Sequence, residues 1–383
     1  MYERLRLLYL ADGPCDQVDG VAFAGDPTTP PYPETCQTYV AYLFGESVES
    51  GASECGSPAY ALRLSRSNWM WNPLARLRVM RLIRKIDPGA ICTHGPVARI
   101  LALSAAHSLG VPSRLVRATD MGQTLTSDLL RPIIRADCHA TRFITDSFSA
   151  AQRLVRQEQV SRDRIEVMPW GVAPEFICHR DETSVAEAKH RMGLSAHEPV
   201  IIAAGCSMRT QDYETLFFAV RQLSPHQKQV RLVIWGAGDQ GKIEELRSGI
   251  ARHGIEENVI LPPPSTPLDS WIAAADMGVV TSYVESISGY MLRYMAAGLA
   301  ICAVNVAGNA ELIRHGESGY LVDFRDSDQL AMFMTILLLS PELAERFGEA
   351  ARERVVQNHS FERALHARND YFRTLSYSHA RSH

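Results

Sequence analysis

The sequence predicts an α/β protein of two parallel-sheet domains in tandem, and three observations predict it. Short aliphatic or β-branched runs alternate with longer segments of helical period over almost all of the 383 residues, the rhythm that βαβ units produce. With 46% hydrophobic and 21% charged residues, the chain is long enough to bury two ordinary cores. A polar stretch between Phe176 and Glu198, carrying HRDETSVAEAKHRMGLSAHEP, separates two such series, so the chain divides into 1–178 and 190–359 with an inter-domain linker between them.

In the first series the expected strands are LRLLYLA, GAICTHG, SRLVRAT, RFITDS and RIEVMPWG, and PVARILALSAAHSLG and FSAAQRLVRQ supply helices. The region Gly13 to Pro58 is rich in Pro, Gly, Thr and Ser (GDPTTPPYPET) and reads as a long loop or lid with one helix around CQTYVAYLFG. The second series repeats the rhythm: VIIAAG with YETLFFAVRQL, VRLVIWG with KIEELRSGIARHG, NVILPPP with PLDSWIAAA, MGVVTS with GYMLRYMAAG, and AICAVN with NAELIRHG. Parallel sheets of this kind bind ligands at the carboxyl ends of their strands, and two side by side form a cleft.

A net charge of −4 gives no global argument for nucleic acid. The eight cysteines form no C-x-x-C pair and several lie in apolar runs, which reads as reduced, buried thiols in a cytoplasmic protein rather than a zinc site. Glu3 and Asp12 bracket an N-terminal run too short for the apolar core of a signal peptide. The longest apolar run, LAMFMTILLL, is about half the roughly 20 residues that span a bilayer. From Arg63 to Lys85 there are seven basic residues and no acidic one, with Trp69 and Trp71 among them. Two readings fit this stretch: an anionic membrane surface as partner, or a solvated helix face with buried tryptophans.

Two segments can carry chemistry. LVIWGAGDQGKIEELRSG sets Gly236, Gly238 and Gly241 in G-x-G-x-x-G spacing between a strand and a helix. A dinucleotide fingerprint also needs an acidic residue ending the next strand, and NVILPPP ends in prolines, so a tight turn that uses the glycines for backbone freedom is the better reading. In SYVESISGYMLRYMAAG a buried strand leads through Glu285, Ser286, Ser288 and Gly289 into a helix. Small residues and backbone N–H groups at a helix start attract phosphate, and a carboxylate beside them suits sugar hydroxyls. Arg293 lies one helical turn after Gly289 and can approach the same ligand. The alternative is that Glu285 caps the helix and Arg293 is solvated or paired with it.

From about Arg78 to Leu375 the chain resembles the retaining glycosyltransferases of family 4. The resemblance rests on SYVESISGYMLRYMAAGLAICAVNVAGNAELIRHGESGYLVD, on LVIWGAGDQGKIEELRSGIARHGIEENVILPPP, and on RADCHATRFITDSFSAAQRLVRQEQVSRDRIEVMPWGVAPEFI, in that family's order. It implies the GT-B fold: two Rossmann-like domains facing a central cleft, with a C-terminal helix near 360–376 crossing back to the N-terminal domain. It also implies a nucleotide-sugar donor held by the C-terminal domain, an acceptor (a glycan, a lipid-linked sugar or a small molecule) held by the N-terminal one, retention of configuration, and no metal. The other class open to such a chain is a non-catalytic GT-B-like binding protein. Location would be cytoplasmic, or peripheral at the inner membrane face.

Carried over residue by residue, the family's Glu-x7-Glu motif puts its first glutamate on Glu285, touching the donor sugar, and the N–H groups of Ser288, Gly289 and Tyr290 near the diphosphate. Gly205, Gly236 and Leu261 join the donor site. The second glutamate, which holds the ribose, falls on Arg293, and an arginine cannot accept hydrogen bonds. The arginine and lysine that grip the diphosphate fall on Cys206 and Gln211, so the resemblance makes Arg209 and Arg293 candidate replacements, weighed against loss of activity. Asp120 stands where the family often has histidine near the reacting carbon; a turn cap is its other reading. His94 is a further candidate. The glycine-rich acceptor loop is absent from ADGPCDQVDGVAFAGDPTTPP, and Trp170, Gly171, Val172 and Ala173 replace Asn-Gly-Val-Asp.

Overall fold

The computed structural model describes residues 4–13, 21–23, 36–44, 58–65, 73–118, 127–177, 180–204, 210–223, 229–238, 240–263, 265–282 and 287–380. The chain forms two compact units, one of residues 1–171 with 361–383 and one of residues 172–360. Both carry a parallel sheet with helices on its faces.

In the first unit the elements run β1 (Leu5–Ala11), β2 (Val21–Phe23), β3 (Cys36–Tyr42), β4 (Ala59–Ala61), α1 (Pro73–Ile86), β5 (Ala90–His94), α2 (Pro96–Ser108), β6 (Ser113–Arg117), α3 (Ser127–Asp137), β7 (Arg142–Thr145), α4 (Phe148–Gln157), β8 (Ile165–Val167) and β9 (Trp170–Val172). The sheet order is β4-β3-β1-β5-β6-β7-β8, and β2 pairs with β9 separately. β1 is buried on both faces because its side chains alternate between two cores. Leu8 and Leu10 pack with Val79, Ile83, Val97 and Ala98 of α1 and α2, whereas Leu5, Leu7 and Tyr9 pack with Ala364 and Phe372.

Within CQTYVAYLFG, Cys36–Tyr42 is a strand, not the helix expected there. β3 lies parallel to β1 with Leu5 opposite Cys36 and Ala11 opposite Tyr42. Cys36, Thr38 and Val40 are buried while Gln37 is exposed, a period of two carried by β-favouring Thr, Tyr and Val. Most of the Gly13–Pro58 loop lies outside the described residues. Of the cysteines, Cys36, Cys92 and Cys302 are buried free thiols and Cys138 is exposed; Cys15, Cys55, Cys178 and Cys206 lie outside the described residues. Burial pushes the Cys36 thiol up to about 11 and raises that of Cys302 further, so both are inert.

The second unit contains α5 (Glu182–Arg191), β10 (Val200–Ala204), α6 (Thr210–Leu223), β11 (Arg231–Trp235), α7 (Gln240–His253), β12 (Val259–Ile260), α8 (Leu268–Ala274), β13 (Met277–Val280), α9 (Gly289–Ala296), β14 (Ala300–Val304), α10 (Ala307–Leu312), β15 (Tyr320–Val322), α11 (Ser327–Leu339) and α12 (Pro341–Asn358). Its sheet order, β12-β11-β10-β13-β14-β15, reverses direction between β10 and β13, the place where such sheets bind ligands. The polar segment read as a linker holds α5, with a capping box of Asp181 and Ser184. The buried Lys189 bonds both carboxylate oxygens of Asp276 at 2.9 and 2.8 Å. The chain enters and leaves this unit side by side, the N–H of Val172 donating to the carbonyl of His359 at 2.8 Å. It then forms α13 (Phe361–Ala380), which packs on the first unit through Ala364 and Phe372. LAMFMTILLL lies in α11, and among the described residues no helix is long and apolar enough to cross a membrane.

Candidate functional site

The second unit's candidate site is the turn from β13 into α9. Gly278 of β13 has no side chain because a Cβ there would lie 2.7 Å from the ring of Tyr294; α9 can therefore lie close against the strand with Met291, Tyr294 and Met295 fully buried. The Ser288 hydroxyl accepts the N–H of Met291 at 3.4 Å as the helix N-cap. Gly289 and Tyr290 open the helix, so their N–H groups belong to the first turn, where the dipole is positive. The Tyr290 ring is 6.0 Å from that of Trp235, whose indole N–H donates to the carbonyl of Thr266 at 2.9 Å.

Gly236 and Gly238, following β11, have φ of 69° and 94°, backbone that favours glycine, and Gly241 lies in the first turn of α7. The motif is thus a strand-to-helix turn. Leu261, after β12, is half-buried against the domain core. Gln211 lies in the first turn of α6. Glu285, Ser286, Gly205, Cys206, Arg209, Asp120, Trp69 and Trp71 lie outside the described residues.

Arg293 is 3% exposed. Its guanidinium bonds the carboxylate of Asp269 in the first turn of α8 and stacks on Phe176, 3.7 Å from the ring centroid. These groups border a cavity of about 340 Å³ that also includes Arg180, Ser184, Arg191, Ile272 and Ala297. That cavity lies among α5, α8 and α9, and Arg180 donates to the carbonyls of Ala273 and Ala275 at the end of α8. Arg180 therefore complements the C-terminus of α8.

In the first unit, polar groups gather at the carboxyl ends of the strands. Asp12, just past β1, accepts the N–H groups of Val97 and Ala98 at 3.1 and 2.6 Å and so occupies the α2 N-terminus. Gly95 has φ of 90° and a Cβ there would strike the Asp12 carboxylate, so the glycine admits this contact. His94 is half-buried at the end of β5, its ring 6.4 Å from that of Tyr9. The buried Arg117 donates to the Tyr9 hydroxyl at 3.1 Å, and Asp146 accepts the indole N–H of Trp170 at 3.0 Å. Sequence reasoning named His94 but missed Asp12, Arg117 and Asp146. The available signal was a charged residue ending an apolar strand, in YLADG, RLVRA and FITDS.

The later part of the basic stretch lies in α1, whose buried stripe is Ala75, Val79, Leu82, Ile83 and Ile86. Arg76, Arg78, Arg81, Arg84 and Lys85 are exposed, together with Leu74 at 57%.

Comparison with known proteins gives these surfaces a context. Residues 29–176 match the family described as Glycosyltransferase Family 4, and residues 185–354 match Glycosyl transferases group 1. A D-inositol 3-phosphate glycosyltransferase of Acidothermus cellulolyticus is 33% identical over 204 residues, 50% of this chain and 44% of that protein. One from Streptomyces scabiei is 30% identical over 228 residues, 57% of this chain and 50% of that protein. The chain thus matches about half the length of these curated relatives. Among solved structures, Anabaena HepE in complex with UDP and glucose superposes with a TM-score of 0.79 at 17% identity, over 98% of this chain and 100% of that one. Sucrose-phosphate synthase of Thermosynechococcus elongatus does so at 0.76 and 17%, over 98% and 100%. These likenesses show the shared fold.

Proposed function

We propose that this chain, a Glycosyltransferase Family 4 domain followed by a Glycosyl transferases group 1 domain, transfers a sugar from a nucleotide-diphosphate sugar to an acceptor hydroxyl with retention of configuration. The observation that carries the reading is the N-terminus of α9: a serine-capped helix start with Gly289 and Tyr290 in its first turn, at the carboxyl end of β13 in the group 1 domain. Its amides and dipole stabilise a diphosphate, more strongly as negative charge grows on the leaving group. HepE, named as a complex with UDP-glucose, supports a donor of this class.

In the reaction the bond from the anomeric carbon to the diphosphate oxygen breaks, the bond to the acceptor oxygen forms on the same face, and the acceptor's proton passes to the leaving phosphate. Glu285 holds the sugar hydroxyls; Gly205, Arg209, Gln211, Gly236, Leu261 and Ser286 complete the donor site. No metal is needed, because amides and a helix dipole supply the counter-charge. His94 and Asp120 attend the acceptor side. The relatives named for D-inositol 3-phosphate suggest a polyol acceptor, but here the α2 N-terminus already holds Asp12. An acceptor reaching that point would meet a carboxylate, which suits hydroxyls and repels a phosphate. The basic face of α1 suits a lipid-linked acceptor at an anionic membrane surface.

Calorimetric titration with UDP, GDP and ADP, followed by assay of nucleotide diphosphate release from a panel of sugar donors, tests the proposal. Binding with turnover supports it; binding without turnover points to the non-catalytic alternative; no binding of any of the three ends it.

A further inference from the structure

We infer that Arg293 is a positioning residue that locks the donor helix in place, and not a ligand of the diphosphate; the inference rests on the donor reading of α9. Arg293 joins three elements of one unit. Its backbone lies in α9, its charge meets Asp269 of α8, and its guanidinium plane covers Phe176 in the turn Pro174–Phe176. Arg293 is 3% exposed while its partner Asp269 is 53% exposed, so a half-solvated carboxylate and an aromatic face hold a buried cation, and removing the carboxylate strands that cation.

The contacts close into a ring. Trp235 donates to Thr266, two residues before α8 begins; Asp269 of α8 holds Arg293; and Tyr290, three residues earlier on α9, returns to the Trp235 ring. Trp235 immediately precedes Gly236. The ring therefore fixes the first turn of α9 relative to the β11 exit turn, the two edges between which the donor reading places the nucleotide diphosphate. Removing either charge releases α9 from α8, and the amides of its first turn lose their aim.

A double-mutant cycle separates this from direct ligation. If Arg293 acts through Asp269, D269N and R293Q each weaken UDP binding about tenfold, and D269N/R293Q is no weaker than either alone, because both break one link. A ligand role predicts otherwise: removing the neighbouring carboxylate in D269N leaves UDP binding unchanged or strengthens it, and the double variant follows R293Q. That result would overturn the inference. Binding is measured well below each variant's melting temperature, with stoichiometry reporting the folded fraction. Hydrogen exchange in the protein without nucleotide gives a second readout: the amides of Met291 to Met295 exchange about tenfold faster in both single variants, and unchanged exchange rejects the clamp. If the unsubstituted chain binds no nucleotide, the donor reading fails on its own, and the exchange measurement still decides the clamp.

Discussion

At the scale of single residues, several polar side chains are spent on helix ends. Ser288 caps α9 and Asp12 caps α2 from a distant strand. Ser288→Ala is expected to cost about 1 kcal/mol of stability, the usual worth of an N-cap, and to weaken nucleotide binding; equal nucleotide affinity in the variant would separate the cap from the site. For Asp12→Ala the loss is of similar size, about 1 kcal/mol, and urea denaturation measures it. Glu285 and Arg293 illustrate what a sequence offers at this scale. Residue type and spacing marked both as candidates, but direction was not legible, because a side chain eight positions along can turn to any neighbour that packing supplies. For Arg293 those neighbours, Asp269 and Phe176, come from segments 24 and 117 residues earlier.

At the scale of elements, charge and close packing decide how helices sit. The buried Arg99 of α2 bonds Asp137 of α3 at 2.5 Å and Glu158 at the end of α4 at 2.5 Å, while Arg153 bonds Glu158 at 2.7 Å. Arg99→Met removes the cation that bonds both buried carboxylates and should cost about 3–5 kcal/mol, visible as a lower denaturation midpoint. Burial pushes the Asp137 carboxyl up to about 6 from an ordinary value of 3.8, despite the pull of Arg99. The folded protein therefore holds this proton more tightly than the unfolded chain, so the residue's contribution to stability falls as pH rises from about 4 to about 6. In Asp137→Asn that slope should vanish from a pH series of melting curves. In the second unit, Gly348 of α12 lies against the carbonyl oxygen of Gly298 beyond α9. A methyl there has no room, and Gly348→Ala should cost about 1–3 kcal/mol. The helices and strands were mostly legible, since apolar periodicity survives in isolation. One exception, in CQTYVAYLFG, is an apolar run too short to distinguish a strand from a helix turn by composition; its place beside β1 is a long-range pairing. Another is α5, in the polar stretch read as a linker.

At the scale of the whole molecule, two units with separate cores share one chain that passes from the first to the second and back. Truncation after Ser360 removes Ala364 and Phe372 from the first unit's core and nothing from the second's. Calorimetry of that truncation should show the first unit's transition lowered and the second's retained; loss of both would mean that the units do not fold separately. Nucleotide added to the intact chain should raise the transition of residues 172–360, which carries the proposed site at α9.

The sequence by itself determined the class of fold, the two series of βα units, the glycine turn after β11 and the small-residue entrance to α9. All of these follow from local periodicity and backbone freedom, which each segment carries with it. Only the tertiary structure decided that Arg293 turns to Asp269 and Phe176, that Asp12 closes the α2 N-terminus, that the polar stretch before β10 is a packed helix, and that Cys36–Tyr42 pairs between β1 and β4. Each of these is a contact between segments remote in sequence, and its partner is chosen by which groups burial brings together, something that no local pattern encodes.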